Sequence, residues 1–199
     1  MLDKSKLTKS GITAMEPLIE GNNLFVKGGI SVISSLAGVG KTTYCLQLKN
    51  QLEKDDYNVV YFNADYAPMD IDDVYKPMKV AELVEYANEA TDEDVIIIDS
   101  LKSYSALNDL DVMDNKDMMS LFLEFRGIVV RTGCSIVLVH HSFKEKKLKT
   151  APEHLFGARA IEEQCDSAFL YSTLNTTVVK NRLGLIRDTI LDTPSLSMD

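Results

Sequence analysis

Ile30-Ser31-Val32-Ile33-Ser34-Ser35-Leu36-Ala37-Gly38-Val39-Gly40-Lys41-Thr42-Thr43 decides how this chain folds. The first five residues are an apolar run of the kind that forms a buried strand, and they stop at a loop of small residues. After the loop, Cys45, Leu48 and Leu52 recur at helical spacing until Asp55-Asp56 ends the helix. A strand, a glycine-containing loop and a helix opening on Lys-Thr make a cradle for an anion. Loop and helix amides point at it, a lysine adds charge, and a threonine hydroxyl can serve Mg²⁺. Ser35, Gly38, Val39, Gly40, Lys41, Thr42 and Thr43 are therefore expected to line a phosphate site, with Thr42 a metal ligand. The strict form of the motif has glycine where Ser35 stands; Gly38 and Gly40 remain.

Outward from this unit the pattern alternates. Leu24-Phe25-Val26 precedes it as a strand, and Tyr57 to Asn63 follows as a β-rich segment. From Met78 to Ala90 the spacing of Val80, Leu83, Val84 and Ala87 predicts a helix. Val95-Ile96-Ile97-Ile98 is a β-branched run suited to a strand buried on both faces, Met118, Leu121, Phe122 and Phe125 form a second helical stripe, and Cys134 to Val139 another buried strand. The rhythm implies an α/β fold with a mostly parallel sheet flanked by helices. Ser167 to Tyr171, Thr177 to Val179 and Leu185 to Ile190 are strand candidates with short connections, so antiparallel strands are expected in the C-terminal third. At 199 residues the chain suits one domain, with a core over about 24–190 and peripheral segments at 1–20 and 194–199.

Composition narrows the class. Hydrophobic residues make up 45% and charged residues 26%, and no apolar run approaches the roughly 20 residues that span a bilayer. Met1-Leu2-Asp3-Lys4-Ser5-Lys6 has mixed charge and no apolar stretch behind it, so neither a secretory leader nor a membrane anchor is expected, and the cytoplasm is the expected location. Cys45, Cys134 and Cys165 are odd in number and far apart, which suits buried thiols better than disulfides or a zinc site. The net charge of -9 argues against a generally basic, nucleic-acid-coating protein. One segment departs from that balance. Lys144, Lys146, Lys147 and Lys149 concentrate cations within six positions, as a solvated loop or as a set of phosphate contacts.

Three further positions carry chemistry by their placement. Asp99 ends an apolar strand, where a parallel sheet delivers side chains to the phosphate loop, so it is the candidate second carboxylate for hydrated Mg²⁺. Asp65 follows the strand after the loop helix and is either a water-polarising acid or a solvated loop residue. His140 and His141 close the fourth strand; as a metal pair they lack a cysteine or acid at ligand spacing.

From about Gly29 to Gly184 the chain resembles the RecA-like P-loop ATPases of the hexameric helicase branch. The likeness is strongest to RepA-type replication helicases, with DnaB-type helicases more distant. It is carried by Gly38-Val39-Gly40-Lys41-Thr42-Thr43, by Val59 to Asp65, by Ile96-Ile97-Ile98-Asp99-Ser100, by Val137-Leu138-Val139-His140-His141-Ser142 and by Lys180-Asn181-Arg182-Leu183-Gly184. The resemblance implies ATP and Mg²⁺ as cofactors, Lys41 and Asp99 as catalytic, and Asp65 in place of the family's usual glutamate. His141 matches the residue that senses the γ-phosphate. Lys180 and Arg182 match a basic pair that reaches a neighbouring subunit's nucleotide, although two cations on a strand read alone as a solvated face. The segment from His141 to Phe156 matches a DNA-contacting loop. A homo-oligomer, expected to be a hexamer, acting on single-stranded DNA beside replication or recombination proteins is what the resemblance implies. Only about twenty residues stand ahead of the core, so no N-terminal primase or helical collar domain is expected. A core-only RecA-like recombination protein and a slow-turnover nucleotide-binding regulator or loader share the same core and remain open.

Overall fold

The computed structural model describes residues 15–65, 74–142, 155–185 and 187–192. A short antiparallel pair comes first, β1 (Pro17–Ile19) and β2 (Asn22–Val26). Then follow β3 (Ile30–Ser35), α1 (Lys41–Lys54), β4 (Asn58–Asn63), β5 (Val74–Tyr75) and α2 (Val80–Tyr86), the last extended by a 3₁₀ turn at Ala87–Glu89. β6 (Asp94–Asp99), α3 (Leu101–Leu107), α4 (Asn115–Thr132) and β7 (Ser135–His141) complete the parallel part. After α5 (Arg159–Gln164) come β8 (Ser167–Tyr171), β9 (Asn175–Asn181) and β10 (Ile190–Asp192).

The main sheet has the order β10-β9-β8-β3-β7-β6-β4-β5. β8, β3, β7, β6, β4 and β5 run parallel, whereas β9 and β10 are antiparallel additions. This is the expected α/β architecture, and the strand expected at Leu24-Phe25-Val26 forms as part of β2. Leu24-Phe25-Val26 belongs to the small β1–β2 sheet and not to the main one. The strand expected over Leu185–Ile190 starts only at Ile190, because the chain first turns through Asp188 at a φ of 62°. Pro17–Ile19, expected at the periphery, contributes Leu18 to the core.

Period-2 alternation assigns each strand residue to one of two cores. Ile30, Val32, Ile96, Ile98, Ile136 and Leu138 face α2, α3, α4 and α5, meeting Leu83, Tyr104, Phe122 and Phe125. Ile33, Val59, Tyr61, Val95, Ile97, Val137 and Val139 face α1, meeting Tyr44, Cys45, Leu48 and Leu52. Both faces of the parallel strands are therefore buried, which is why they read as continuous apolar runs. All three cysteines are buried free thiols. No helix among the described residues is long and apolar enough to cross a membrane.

At the amino ends of β3 and β8 sits a charged knot. Asp166 is fully buried and accepts from Ile30 N at 2.8 Å, from Arg126 Nη1 at 2.7 Å and from Arg182 Nη1 at 2.7 Å. A buried carboxylate is tolerated only with such compensation. Either arginine alone still neutralises it. Arg182→Ala should therefore cost about 1 kcal/mol, and removing Arg126 together with Arg182 about 3–5 kcal/mol, more than the sum of the single changes. Urea unfolding of the two single variants and the double variant checks this; additive costs would contradict it.

Candidate functional site

Strand parity brings the site together. On β3, β6 and β7 the residues that face α1 are Ile33, Ile97 and Val139, so two positions on the same face presents Ser35, Asp99 and His141 at the carboxyl end of the sheet. There α1 begins. The loop before it contains Gly38 at a φ of 81° and Gly40 at 92°, backbone that side-chain-bearing residues rarely adopt. A Cβ at either glycine would meet nothing within 4 Å, so the space beside the loop is open. Gly40 is the N-cap and has no side chain to accept from the helix amides, and the first turn of α1 carries no acid. The positive end of the helix is thus left to an external anion.

Lys41 is 8% exposed, and its ammonium lies against its own loop, donating to Ser35 Oγ at 3.1 Å, Ser35 O at 3.2 Å and Leu36 O at 3.0 Å. Burial holds its pKa below the usual lysine range, while Asp99 and Asp65 pull the other way. Thr42 Oγ1 donates to Asp99 Oδ2 at 2.7 Å, so the loop helix is tied to the end of β6. Asp99 is 4% exposed and also accepts from Tyr61 OH at 2.8 Å. The Asp99–Ser100 peptide is cis. Ser100 Oγ donates to Asp65 Oδ1 at 2.8 Å, which places Asp65 beside Asp99, and Asp65 N donates to Asp99 O at 3.3 Å. Val39 is half-buried in the loop and Thr43 is exposed.

The paired histidines separate by face. His141 is half-buried on the α1 side, its pKa lowered first by burial and then by the Lys41 charge. His140 points into the other core, where Nε2 bonds to Phe156 O and burial lowers its pKa to about 4. Ser142 N donates to Ser35 O at 3.0 Å and Phe156 N to His141 O at 3.1 Å. The residues on either side of 143–154 are therefore joined to each other and to the start of the phosphate loop. Lys144, Lys146, Lys147 and Lys149 lie outside the described residues.

Lys180 and Arg182 are not part of this cluster. Lys180 Nζ donates to the carbonyls of Glu162 at 2.8 Å and Glu163 at 2.7 Å near the end of α5, and burial lowers its pKa. Arg182 is bound to Asp166 at the amino end of β3, a strand of about 17 Å away from the chain's own loop.

Two participants were not singled out from sequence. Tyr61 read as one more apolar residue of its strand, and Ser100 as the residue after a strand-terminal aspartate. Only face parity could have marked Tyr61, since it registers with Ile97, one pleat below Asp99 on the α1 side.

The donor set fits Mg²⁺. Thr42 and Asp99 offer hard oxygens, and among the described residues no group of three His, Cys, Asp or Glu could hold a metal. Such a site leaves most of the coordination sphere to water and phosphate, as that ion prefers. A family model described as AAA domain matches residues 50–147, a span from the end of α1 through Asp65, Asp99 and His141. No curated protein matches the chain. The AAA-domain match, together with the strand–loop–helix cradle that lies ahead of it, supports a P-loop ATPase with an α/β fold and a mostly parallel central sheet.

Proposed function

We propose that this chain is a RecA-like, Mg-ATP-dependent motor of the RepA-type helicase kind, working as a homo-oligomer on single-stranded DNA. The observation that carries the reading is the 2.7 Å bond from Thr42 to Asp99. It joins the first turn of α1, the helix that follows β3, to the end of β6, a strand separated from β3 in the sheet by β7. In this reading the loop amides and Lys41 hold the phosphates, and Thr42 and Asp99 hold hydrated Mg²⁺, which when bound neutralises charge on the transferred phosphoryl group. Asp65, held by Ser100, orients and polarises the attacking water. His141 faces the same space from β7, and the bonds Ser142 to Ser35 and Phe156 to His141 tie the residues that flank 143–154 to the loop. That tie is the route by which nucleotide state would reach DNA.

The position of Lys180 and Arg182 supports action across an interface, because a cation at the far end of the sheet cannot serve its own subunit's loop. Their internal bonds, to the α5 carbonyls and to Asp166, favour a second reading, a slow-turnover regulator in which both residues are structural. ATPase rate with and without single-stranded DNA, together with the mass of the assembly, separates the two. Stimulation in a hexamer is expected; an unstimulated monomer would transfer the weight to the regulator.

Lys41→Ala should weaken Mg-ATP binding by about 10- to 100-fold, since it removes the loop's charged donor. Calorimetric titration of the folded variant checks this, and unchanged affinity would remove the central claim. Asp65→Asn should bind ATP like the parent while single-turnover hydrolysis falls by about 100-fold or more; parental turnover would mean that another acid does this work. Arg182→Ala should keep ATP affinity and lose about 1,000-fold in turnover. Mixed with Lys41→Ala subunits it should regain activity at shared interfaces, and a proven mixed assembly without rescue would sink the trans role.

A further inference from the structure

We infer that Tyr61 is a positioning residue for the metal-holding carboxylate, fixing Asp99 so that one of its oxygens stays available to a hydrated divalent cation. The inference rests on the proposed reading of Asp99 as the Mg²⁺ carboxylate. Two hydroxyls converge on a single atom. Thr42 Oγ1 and Tyr61 OH both donate to Asp99 Oδ2, at 2.7 and 2.8 Å. A carboxylate oxygen with two donors is well satisfied, so the group has a strong preference for this rotamer, and Oδ1 is the oxygen left for an ion's water.

The two donors are not equivalent. Thr42 stands in the first turn of α1, directly after the phosphate loop, and has lone pairs to offer the ion while its proton stays on Asp99. Tyr61 is fully buried in the middle of β4, its ring packed on the α1 side of the sheet among Cys45 and Ile97, and its hydroxyl needs a partner there. The strand fixes the tyrosine, and the tyrosine fixes the aspartate. This is the relation in which outer partners of metal ligands commonly set affinity by 10- to 100-fold.

The test compares ADP binding with and without Mg²⁺ by calorimetry, so that it does not depend on turnover. Tyr61→Phe keeps the ring and should bind ADP like the parent without Mg²⁺, while the gain in affinity conferred by Mg²⁺ falls about tenfold. Tyr44→Phe is the matched control: that hydroxyl, carried by α1 itself, is also buried but has no hydrogen-bond partner among the described residues, and its loss should leave the Mg²⁺ gain unchanged. In an Asp99→Asn background, Tyr61→Phe should have no further effect on the Mg²⁺ gain. A parent without any Mg²⁺ gain would overturn the reading of Asp99 itself. A parental gain kept in Tyr61→Phe, additive effects with Asp99→Asn, or a Tyr61→Phe chain that does not fold would overturn the positioning role alone.

Discussion

The bond between Thr42 and Asp99 depends on a constraint that precedes any chemistry: every second residue of a parallel strand faces the same helix layer. Because β3, β6 and β7 are in register, the residues that pack on α1 lead, one pleat further, to Ser35, Asp99 and His141 at a common edge. α1 starts at that edge with Lys41 and Thr42. A slip of one residue in β6 would turn Asp99 toward the α3–α4 core, where a carboxylate without partners is expensive. The hydrophobic pattern that folds the sheet therefore also selects which polar residues meet.

The same rule explains why two adjacent histidines live differently. His141 shares the α1 face with the phosphate loop, whereas His140 is enclosed by the opposite core and fastened to Phe156. One residue looks toward the nucleotide site and the next holds the returning chain. The bonds Ser142 to Ser35 and Phe156 to His141 join the carboxyl end of β7 to the start of the phosphate loop on one side and to the chain at Phe156 on the other.

At the other end of the sheet the charge economy is separate. Asp166 draws Arg126 and Arg182 together with the amide that opens β3, so the strand leading to the phosphate loop is anchored at its start by an ionic knot and at its finish by the loop. Arg182 thus has a structural occupation whatever it does at an interface. Its sequence spacing from Lys180 carried no sign of Asp166, because the contact spans 16 positions and a change of strand direction.

Much was legible in the residue order. The run Ile30 to Thr43 specifies a strand, a loop and a helix by local rules, and the β-branched runs ending at Asp99 and His141 specify buried parallel strands. Signals spanning a few residues survive folding when the apolar pattern is this regular. The short β5, α3 and α5 were not legible, because their packing comes from neighbours distant in the chain. Sequence by itself determined that a strand, a glycine-containing loop and a helix opening on Lys41 and Thr42 would follow one another and that an aspartate would end the apolar strand after Val95. Only tertiary structure decided that Tyr61 completes that aspartate, that Ser100 holds Asp65, that His140 and His141 part company, and that Lys180 and Arg182 stand at the far end of the sheet. The physical reason is that hydrogen bonds between strands depend on register and face, quantities that belong to the assembled sheet and not to any one segment of it.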